Sequence, residues 1–379
     1  MNLLMVSGDR QIVVGERGPF YSMQAEFSRY FDRVDVICPK PNGPIQVREI
    51  HGNVHFHPAN VPSRRMKGFV QEKGAELIGQ HGYALVVSHD YGRFANGRGA
   101  AWLAKRFDLP HVSELHHIPG EPVADSFRER LERFLAKRYV AWAKSRVTAF
   151  RVVNPGQMPR LLRAWGVNPG KIVVLPSQYL DLDVFKLRAA ALEEAYEYDL
   201  VFVGRMVNNK GLPRIIAALE MCQARGQTWK ALFVGKGPLR AQMMERTKSQ
   251  GLFTRWIEWV DSPEDLAALY RSSRAVVCAS TCEGGPRFTV EAMSCGAACI
   301  STPVGIMEDL LADGAAGRLC GFDVESLSDA FDGVLIDEAG RKTMGENAAI
   351  RVRVFEYSQA IKTYANGLRH LAGQEKRTL

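Results

Sequence analysis

Glu283 and Glu291 stand eight positions apart, on either side of the break Gly284-Gly285-Pro286 and the residues Arg287, Phe288 and Thr289. The first follows Ala275-Val276-Val277-Cys278-Ala279, an apolar run that reads as a buried parallel strand. The second falls inside the helix that the break begins. One acid at the carboxyl end of a strand and another about a turn into the next helix is an arrangement in which open α/β sheets hold ligands. A helix start also offers unpaired backbone N–H groups and the positive end of a dipole, which suit a phosphate. Taken singly, each acid reads as solvated. As a pair around a Gly-Gly-Pro turn, they read as a site.

Two further strand ends carry chemistry. The run Leu200–Val203 leads into Gly204-Arg205-Met206-Val207-Asn208-Asn209-Lys210-Gly211. Arg205 and Lys210 at such a strand–helix junction suit a diphosphate, because Arg grips oxygens in pairs and Lys adds a mobile point charge. A plain basic surface loop is the alternative. After Ala231–Val234 comes Gly235-Lys236-Gly237-Pro238, a tight turn into another helix that alone says little more.

These loops need a scaffold. Strand-like and helix-like segments alternate almost throughout, the pattern of βαβ units and parallel sheets. In the first half, strands are expected at Leu3–Val6, Val34–Cys38, Leu85–Ser88, Val112–Glu114, Thr148–Val153 and Ile172–Leu175. Helices are expected at Tyr21–Phe31, Gly97–Phe107, Ser126–Lys144 and Gln157–Trp165. In the second half, strands are expected at Leu200–Val203, Ala231–Val234, Trp256–Trp259, Ala275–Cys278, Ala298–Ser301 and Arg318–Cys320, with helices between. The fold class is therefore α/β, with two Rossmann-like βαβ domains facing a cleft. The expected boundaries are 1–177 for the first domain, 178–198 for a linker where the pattern weakens, 199–352 for the second domain, and 353–379 for a terminal helix.

At 379 residues the chain exceeds a single ordinary core, and 46% apolar and 24% charged residues are those of a soluble globular protein. No apolar run is long enough to span a bilayer. The first residues lack a basic region and meet charge too early for a signal peptide, so a first strand is expected there. Seven cysteines without CxxC or metal spacing fit a reducing cytoplasm. The net charge of +8 points to an anionic partner without choosing among nucleotide, membrane and nucleic acid. No short repeat is visible.

Val203-Gly204-Arg205 with Lys210-Gly211, Gly235-Lys236-Gly237-Pro238, and the stretch Glu283 to Gly296 together resemble the C-terminal domain of the family-4 retaining glycosyltransferases, which have the GT-B architecture. The resemblance covers the second half of the chain; the first half fits in outline. It implies a nucleotide-sugar-binding second domain, an acceptor-side first domain, and a terminal helix crossing back to the first. It implies that Arg205 and Lys210 hold the donor diphosphate, with Gly204, Gly284, Gly285, Arg287, Phe288 and Thr289 lining the donor. Glu283 would meet the sugar hydroxyls and Glu291 the ribose hydroxyls. A carboxylate accepting from a vicinal diol agrees with that assignment. The family's Gly-Gly loop after the first strand is altered here to Gly15-Glu16-Arg17-Gly18-Pro19, with Gly18 where the second glycine falls.

Pro110-His111-Val112-Ser113-Glu114-Leu115-His116-His117 brings a histidine to the end of a strand. By the resemblance His116 lies near the donor sugar; His117 remains open, and His89-Asp90 is a further cleft candidate. The segment 126–146 carries Phe127, Leu131, Phe134, Leu135 and Trp142 on one face and many Arg and Lys elsewhere. It reads either as a core-packed helix with a solvated basic face or as a contact for anionic lipid. Asp181-Leu182-Asp183 imitates a metal motif but falls in the linker and reads as structural. His51, His55 and His57 read as strand histidines.

The expectation is a retaining, metal-independent glycosyltransferase that takes sugar from a UDP-, GDP- or ADP-sugar and gives it to a glycan or lipid-linked acceptor. Cell-envelope polysaccharide or glycolipid synthesis would be its setting. It would need no cofactor and bind no nucleic acid. It would be cytoplasmic, with peripheral contact to the inner face of the membrane through helix 126–146. The catalytic set is His116, Glu283, Arg205 and Lys210. A sugar-nucleotide epimerase of the same architecture and an inactive nucleotide-sugar-binding partner are the alternatives.

Overall fold

A computed structural model describes residues 1–187 and 196–374. The middle of the expected linker and the last residues of the expected terminal segment lie outside the described residues.

The first domain runs β1 (Asn2–Val6), α1 (Pro19–Phe27), β2 (Arg33–Cys38), β3 (Glu49–Ile50), β4 (Val54–Pro58), α2 (Met66–His81), β5 (Leu85–His89) and α3 (Ala95–Phe107). It continues with β6 (His111–Leu115), α4 (Phe127–Ala143), β7 (Ala149–Val152), α5 (Gln157–Ala164) and β8 (Ile172–Val174). The second domain runs β9 (Tyr198–Val203), α6 (Leu212–Ala224), β10 (Ala231–Val234), α7 (Arg240–Ser249), β11 (Thr254–Ile257), α8 (Pro263–Arg271) and β12 (Ser273–Cys278). Then come α9 (Arg287–Ser294), β13 (Ala298–Ser301), α10 (Ile306–Leu311), β14 (Gly317–Leu319), α11 (Val324–Leu335), α12 (Glu338–Arg351) and α13 (Tyr357–Gln374).

The sheet orders are β3-β4-β2-β1-β5-β6-β7-β8 and β11-β10-β9-β12-β13-β14. Only the β3–β4 pair is antiparallel among these described strands. The central strands are nearly continuous apolar runs, such as Leu3, Leu4, Met5 and Val6, because helices cover both faces. In each sheet the order reverses once, beside β1 and β5 in the first and beside β9 and β12 in the second. Chains leaving the carboxyl ends of those strands part to opposite faces and leave a crevice.

Several expectations need correction. β3 and α2 lie outside the expected elements, and β4 was expected only through its histidines; α2 holds Gly68, Gly74 and Gly79 and only four buried positions, so its period is weak. His55 and His57 lie on β4, paired with Glu49 and Asp35, but His51 sits in the preceding turn at φ 53. Trp259 is not in a strand; β11 ends at Ile257 and Trp259 is exposed. The stretch at the start of the expected linker is packed: Leu180 and Phe185 are buried in the core of the second domain. Of the apolar face of α4 only Trp142 packs against the core. The helix's buried residues are Ala136, Tyr139, Val140 and Ala143, while Phe127 is 79% and Phe134 55% exposed.

The terminal helix α13 lies on the first domain, where Ile361, Tyr364, Ala365, Leu368 and Leu371 join Leu3, Met5 and Phe27 in one core. The two crossings between domains touch: Leu180 N–H donates to Phe355 O at 2.7 Å, and Tyr357 N–H to Leu180 O at 2.9 Å.

Candidate functional site

The loops after β9 and β12 bring the second domain's cations and acids together. After β9 a short 3-10 turn, Asn208–Lys210, is closed by Gly211 at φ 73. A Cβ there would fall 2.0 Å from Ala279 O, so only glycine lets this loop lie against the end of β12. That approach sets Lys210 Nζ on Glu283 Oε1 as a tight ion pair, with both side chains about as deeply buried. Ser280 Oγ donates to the same Oε1 at 2.9 Å. Glu283 Oε2 has no hydrogen bond among the described residues. Arg205, on the same loop, is exposed.

α9 begins immediately after Pro286. The N–H groups of Gly285, Arg287 and Phe288 have no acceptor among the described residues, so they form an open N-terminus. Glu291, one turn on, is 6% exposed and not the solvated acid it resembles alone. It accepts from Arg287 Nε at 2.7 Å and from Tyr270 OH at 3.3 Å. Burial raises its carboxyl above the usual range, opposed by Arg287. Phe288 packs toward Phe202, with ring centroids 6.1 Å apart.

One expected donor residue turns its side chain elsewhere. Thr289 is fully buried, and its hydroxyl donates to Pro286 O at 2.6 Å and contacts Met307 Sδ, so it closes the helix turn. Gly18 is the N-cap of α1, with φ −102.

The first domain's side of the crevice is a cavity of about 360 Å³. The loop after β1 supplies Ser7, Gly8 and Asp9; the ends of β5 and β6 supply His89, Asp90, Glu114, His116 and His117. Four carboxylates line it, Asp9, Asp90, Glu114 and Glu132, and no Lys or Arg does. Glu114 is held by Arg151 Nη1 at 2.9 Å, by the Tyr364 hydroxyl, and by His89 Nε2 at 2.5 Å. Arg151 pulls that carboxyl well below its ordinary value against the opposing effect of burial. Asp90 accepts from Ser88 Oγ at 2.9 Å, Ser113 Oγ at 2.5 Å and Tyr139 OH at 2.7 Å. Burial still pushes it up to about 6.

The adjacent histidines point to different partners. His116 Nε2 is inaccessible and 3.8 Å from Glu114 Oε2, and its ring lies 5.0 Å from that of His89. Burial lowers it to about 4, so it is neutral at pH 7. His117 is exposed and feels the charges of Glu283, Lys210 and Arg205 across the crevice. His89, Glu114 and His116 place three ligand atoms within 4.8 Å, the one such group among the described residues that a metal could use. Arg151 and Tyr364 hold only Oε1 of its carboxylate, leaving Oε2 toward the two histidines, and a divalent cation there would stand near the guanidinium's charge.

The walls are joined by a seam that sequence reading missed. Thr281 Oγ1 donates to Asp125 Oδ2 at 2.8 Å, Asn154 Nδ2 to Gly284 O at 3.2 Å, and Gly305 N–H to Gln157 Oε1 at 2.7 Å. Gln178 is 1% exposed with both amide atoms unpartnered, and its Nε2 is 1.6 Å from where a Cβ on Gly285 would stand. Asp9, Tyr91 and Glu132 are further lining residues that were not singled out. They carry no motif, and only the topology gathers them.

Known proteins match both halves. Residues 183–351 match the family model "Glycosyl transferases group 1" and residues 20–178 match "Glycosyl transferase 4-like domain". A D-inositol 3-phosphate glycosyltransferase of Kribbella flavida is 26% identical over 312 residues, 76% of this chain and 72% of that one. A phosphatidyl-myo-inositol mannosyltransferase of Mycolicibacterium smegmatis is 30% identical over 185 residues, 47% of each chain. Among solved structures, sucrose-phosphate synthase from Thermosynechococcus elongatus superposes with a TM-score of 0.77 at 18% identity, over 98% of this chain and 99% of that one. The Anabaena protein HepE in complex with UDP-glucose gives 0.72 at 18% identity, over 98% and 100%. These likenesses give no support to the epimerase or inactive-partner alternatives.

Proposed function

The chain is a glycosyltransferase and belongs to the group 1 glycosyl transferases, and we propose that it is a retaining, metal-independent member. It takes sugar from a nucleotide-diphosphate-sugar and delivers it to a hydroxyl of a glycan or lipid-linked acceptor, in cell-envelope polysaccharide or glycolipid synthesis. One observation carries this reading: the Lys210–Glu283 pair stands beside the open N-terminus of α9. An arriving diphosphate takes over Lys210, meets Arg205, and receives the N–H groups of Gly285, Arg287 and Phe288. Glu283, released on one side, accepts from the donor sugar's hydroxyls, and Glu291 from the ribose diol once Arg287 turns aside.

These charges neutralise the leaving diphosphate as the C1–O bond breaks, so the protein itself supplies the electrostatic stabilisation that a bound metal otherwise would. The acceptor oxygen attacks C1 from the face the diphosphate leaves, and its proton passes to the departing phosphate oxygen. Double displacement would need a nucleophilic carboxylate with a second acid beside it, whereas Glu283, once released by Lys210, is taken up by the donor sugar's hydroxyls and by Ser280. His116 and His117 bound the sugar from the first domain, and the cavity beyond them receives the acceptor. Glu132 of α4 lines that cavity, and Phe127 and Leu131 of the same helix are exposed for contact with an anionic membrane. No described helix is long and apolar enough to cross one.

The test is binding and slow hydrolysis across UDP-, GDP-, ADP- and CDP-sugars, with and without EDTA. EDTA-resistant turnover of one donor, with the anomeric configuration kept in the product, is expected. Strict dependence on a divalent cation, or an inverted product, overturns the corresponding half of the reading.

A further inference from the structure

The sequence carries 25 lysines and arginines against 15 aspartates and glutamates in residues 1–177, and 24 against 26 in residues 178–379. The first domain's excess does not face the reaction cavity, which no Lys or Arg lines. Part of it faces a groove of about 790 Å³ at the opposite end of the first sheet, where Leu109 and Thr148 lead into β6 and β7. Lys67 of α2, Arg98 and Lys105 of α3, and Arg146 just past α4 line it, against the single carboxylate of Asp108. Lys171 also reaches the groove, but its ammonium is occupied by the carbonyls of Lys144 and Val147 at 3.2 and 2.7 Å. None of the other four cations has a carboxylate partner among the described residues. Arg98 and Arg146 lie over the Trp142 ring at 5.1 and 4.8 Å, so one indole gathers two guanidinium groups. Cations gathered this way repel one another until an anion completes them.

The neighbouring helix says which anion. Phe127, Leu131, Phe134 and Leu135 of α4 are 79%, 48%, 55% and 38% exposed. Their spacing of three and four residues places Arg138 and then Trp142 on the same line, so the apolar stripe ends at the groove. Trp102, 40% exposed on α3, stands at the groove as well. A helix of 17 residues gives a line about 25 Å long, with basic residues beside it and tryptophan at its end, the composition of a segment lying in a lipid–water interface. A soluble anion would fill the groove and leave the stripe in water.

We propose that the groove of Lys67, Arg98, Lys105 and Arg146 is a second, non-catalytic site for the phosphate headgroup of an anionic lipid. It anchors the rear of the first domain while α4 lies flat on the bilayer. This rests on the membrane contact assigned to α4 above and adds to it a headgroup site with its own residues.

The test is co-sedimentation with vesicles of phosphatidylcholine alone and of phosphatidylcholine with phosphatidylglycerol, at low ionic strength. Wild type is compared with Arg98→Gln/Lys105→Gln, Lys67→Gln/Lys105→Gln and Phe127→Ser/Leu131→Ser. Each groove pair should lose about 30-fold of the binding to phosphatidylglycerol vesicles, from two cations near the surface. The α4 pair should weaken binding to both vesicle types and keep the preference for phosphatidylglycerol. Groove variants that bind phosphatidylglycerol vesicles as wild type does would overturn the proposal. So would saturation of the groove by inorganic phosphate, followed by tryptophan fluorescence, in a protein that ignores both vesicles. Nucleoside diphosphate binding, measured on every variant, reports folding and the donor site separately. Vesicle binding by a wild type that binds no nucleotide-sugar would sink the proposed donor site and leave the groove standing.

Discussion

In the second domain the cleft presents Arg205 and Lys210 from a half of the chain with 24 basic and 26 acidic residues. In the first it presents Asp9, Asp90, Glu114 and Glu132 from a half with 25 basic and 15 acidic residues. Each wall runs against the balance of the domain that carries it. The charge at a site is set by a few residues and what holds them, and the holding differs between the walls. Glu114 and Arg151 form a pair 0% and 1% exposed, closed by Tyr364 and built into the core. Lys210 and Glu283 form a pair 16% and 15% exposed at the crevice, open to exchange with a ligand. One pairing is permanent and the other provisional.

The sharpest way to break that contrast is Arg151→Met. It leaves the Glu114 carboxylate buried without its cation and should cost about 3–5 kcal/mol of stability, read from the denaturant midpoint. A loss no larger than that of Lys210→Ala would mean the two pairs are alike. Next, Lys210→Ala should lower affinity for nucleoside diphosphates by about 10- to 100-fold, the size of a lost charge-assisted hydrogen bond, and for monophosphates much less. Calorimetry showing equal losses for both would move the diphosphate elsewhere. Smaller again is the division between the histidines. His116→Ala should lower turnover several-fold and disturb the His89–Glu114 contact, while His117→Ala should act on donor affinity through its exposed face. The reverse pattern would exchange their roles.

The smallest effect is a pH slope. Burial raises the Asp90 carboxyl from 3.8 to about 6, so across that window the native protein keeps a proton that the unfolded chain has released. Stability contributed by this group therefore falls as pH rises from 3.8 to about 6 and falls no further above it. Asp90→Asn should remove that component, seen as a flatter dependence of melting temperature on pH. An unchanged dependence would place the proton on another group.

The two walls also differ in how far they could be read from sequence. Glu283 to Glu291 is one contiguous strand, loop and helix, so spacing alone brought the acids and the helix start together. The central strands were legible for the same reason: β9, β10, β12 and β13 are short apolar runs bounded by turn residues. The first domain's cavity draws on loops after β1, β5 and β6 and on one side chain of α4, which adjoin only because the strand order reverses between β1 and β5. Asp9 and Glu132 therefore gave no signal. α4 misled differently, since an apolar stripe at helical spacing has the same pattern whether it faces core or solvent. Thr289 was drawn into the donor site by its place in the motif, whereas its hydroxyl closes the first turn of α9.

The chain enters the second domain near Leu180 and returns near Tyr357, and α13 then supplies Ile361, Tyr364, Leu368 and Leu371 to the core beneath β1. During synthesis, then, the part made first is the part finished last. The second domain has all its strands once β14 has emerged, while the first still exposes the apolar floor that α13 covers, and Glu114 lacks the Tyr364 hydroxyl. The nascent first domain must wait, protease-sensitive, through the making of the whole of its partner. Chains stalled on the ribosome before and after Leu371 emerges should show that protection arriving in a single late step.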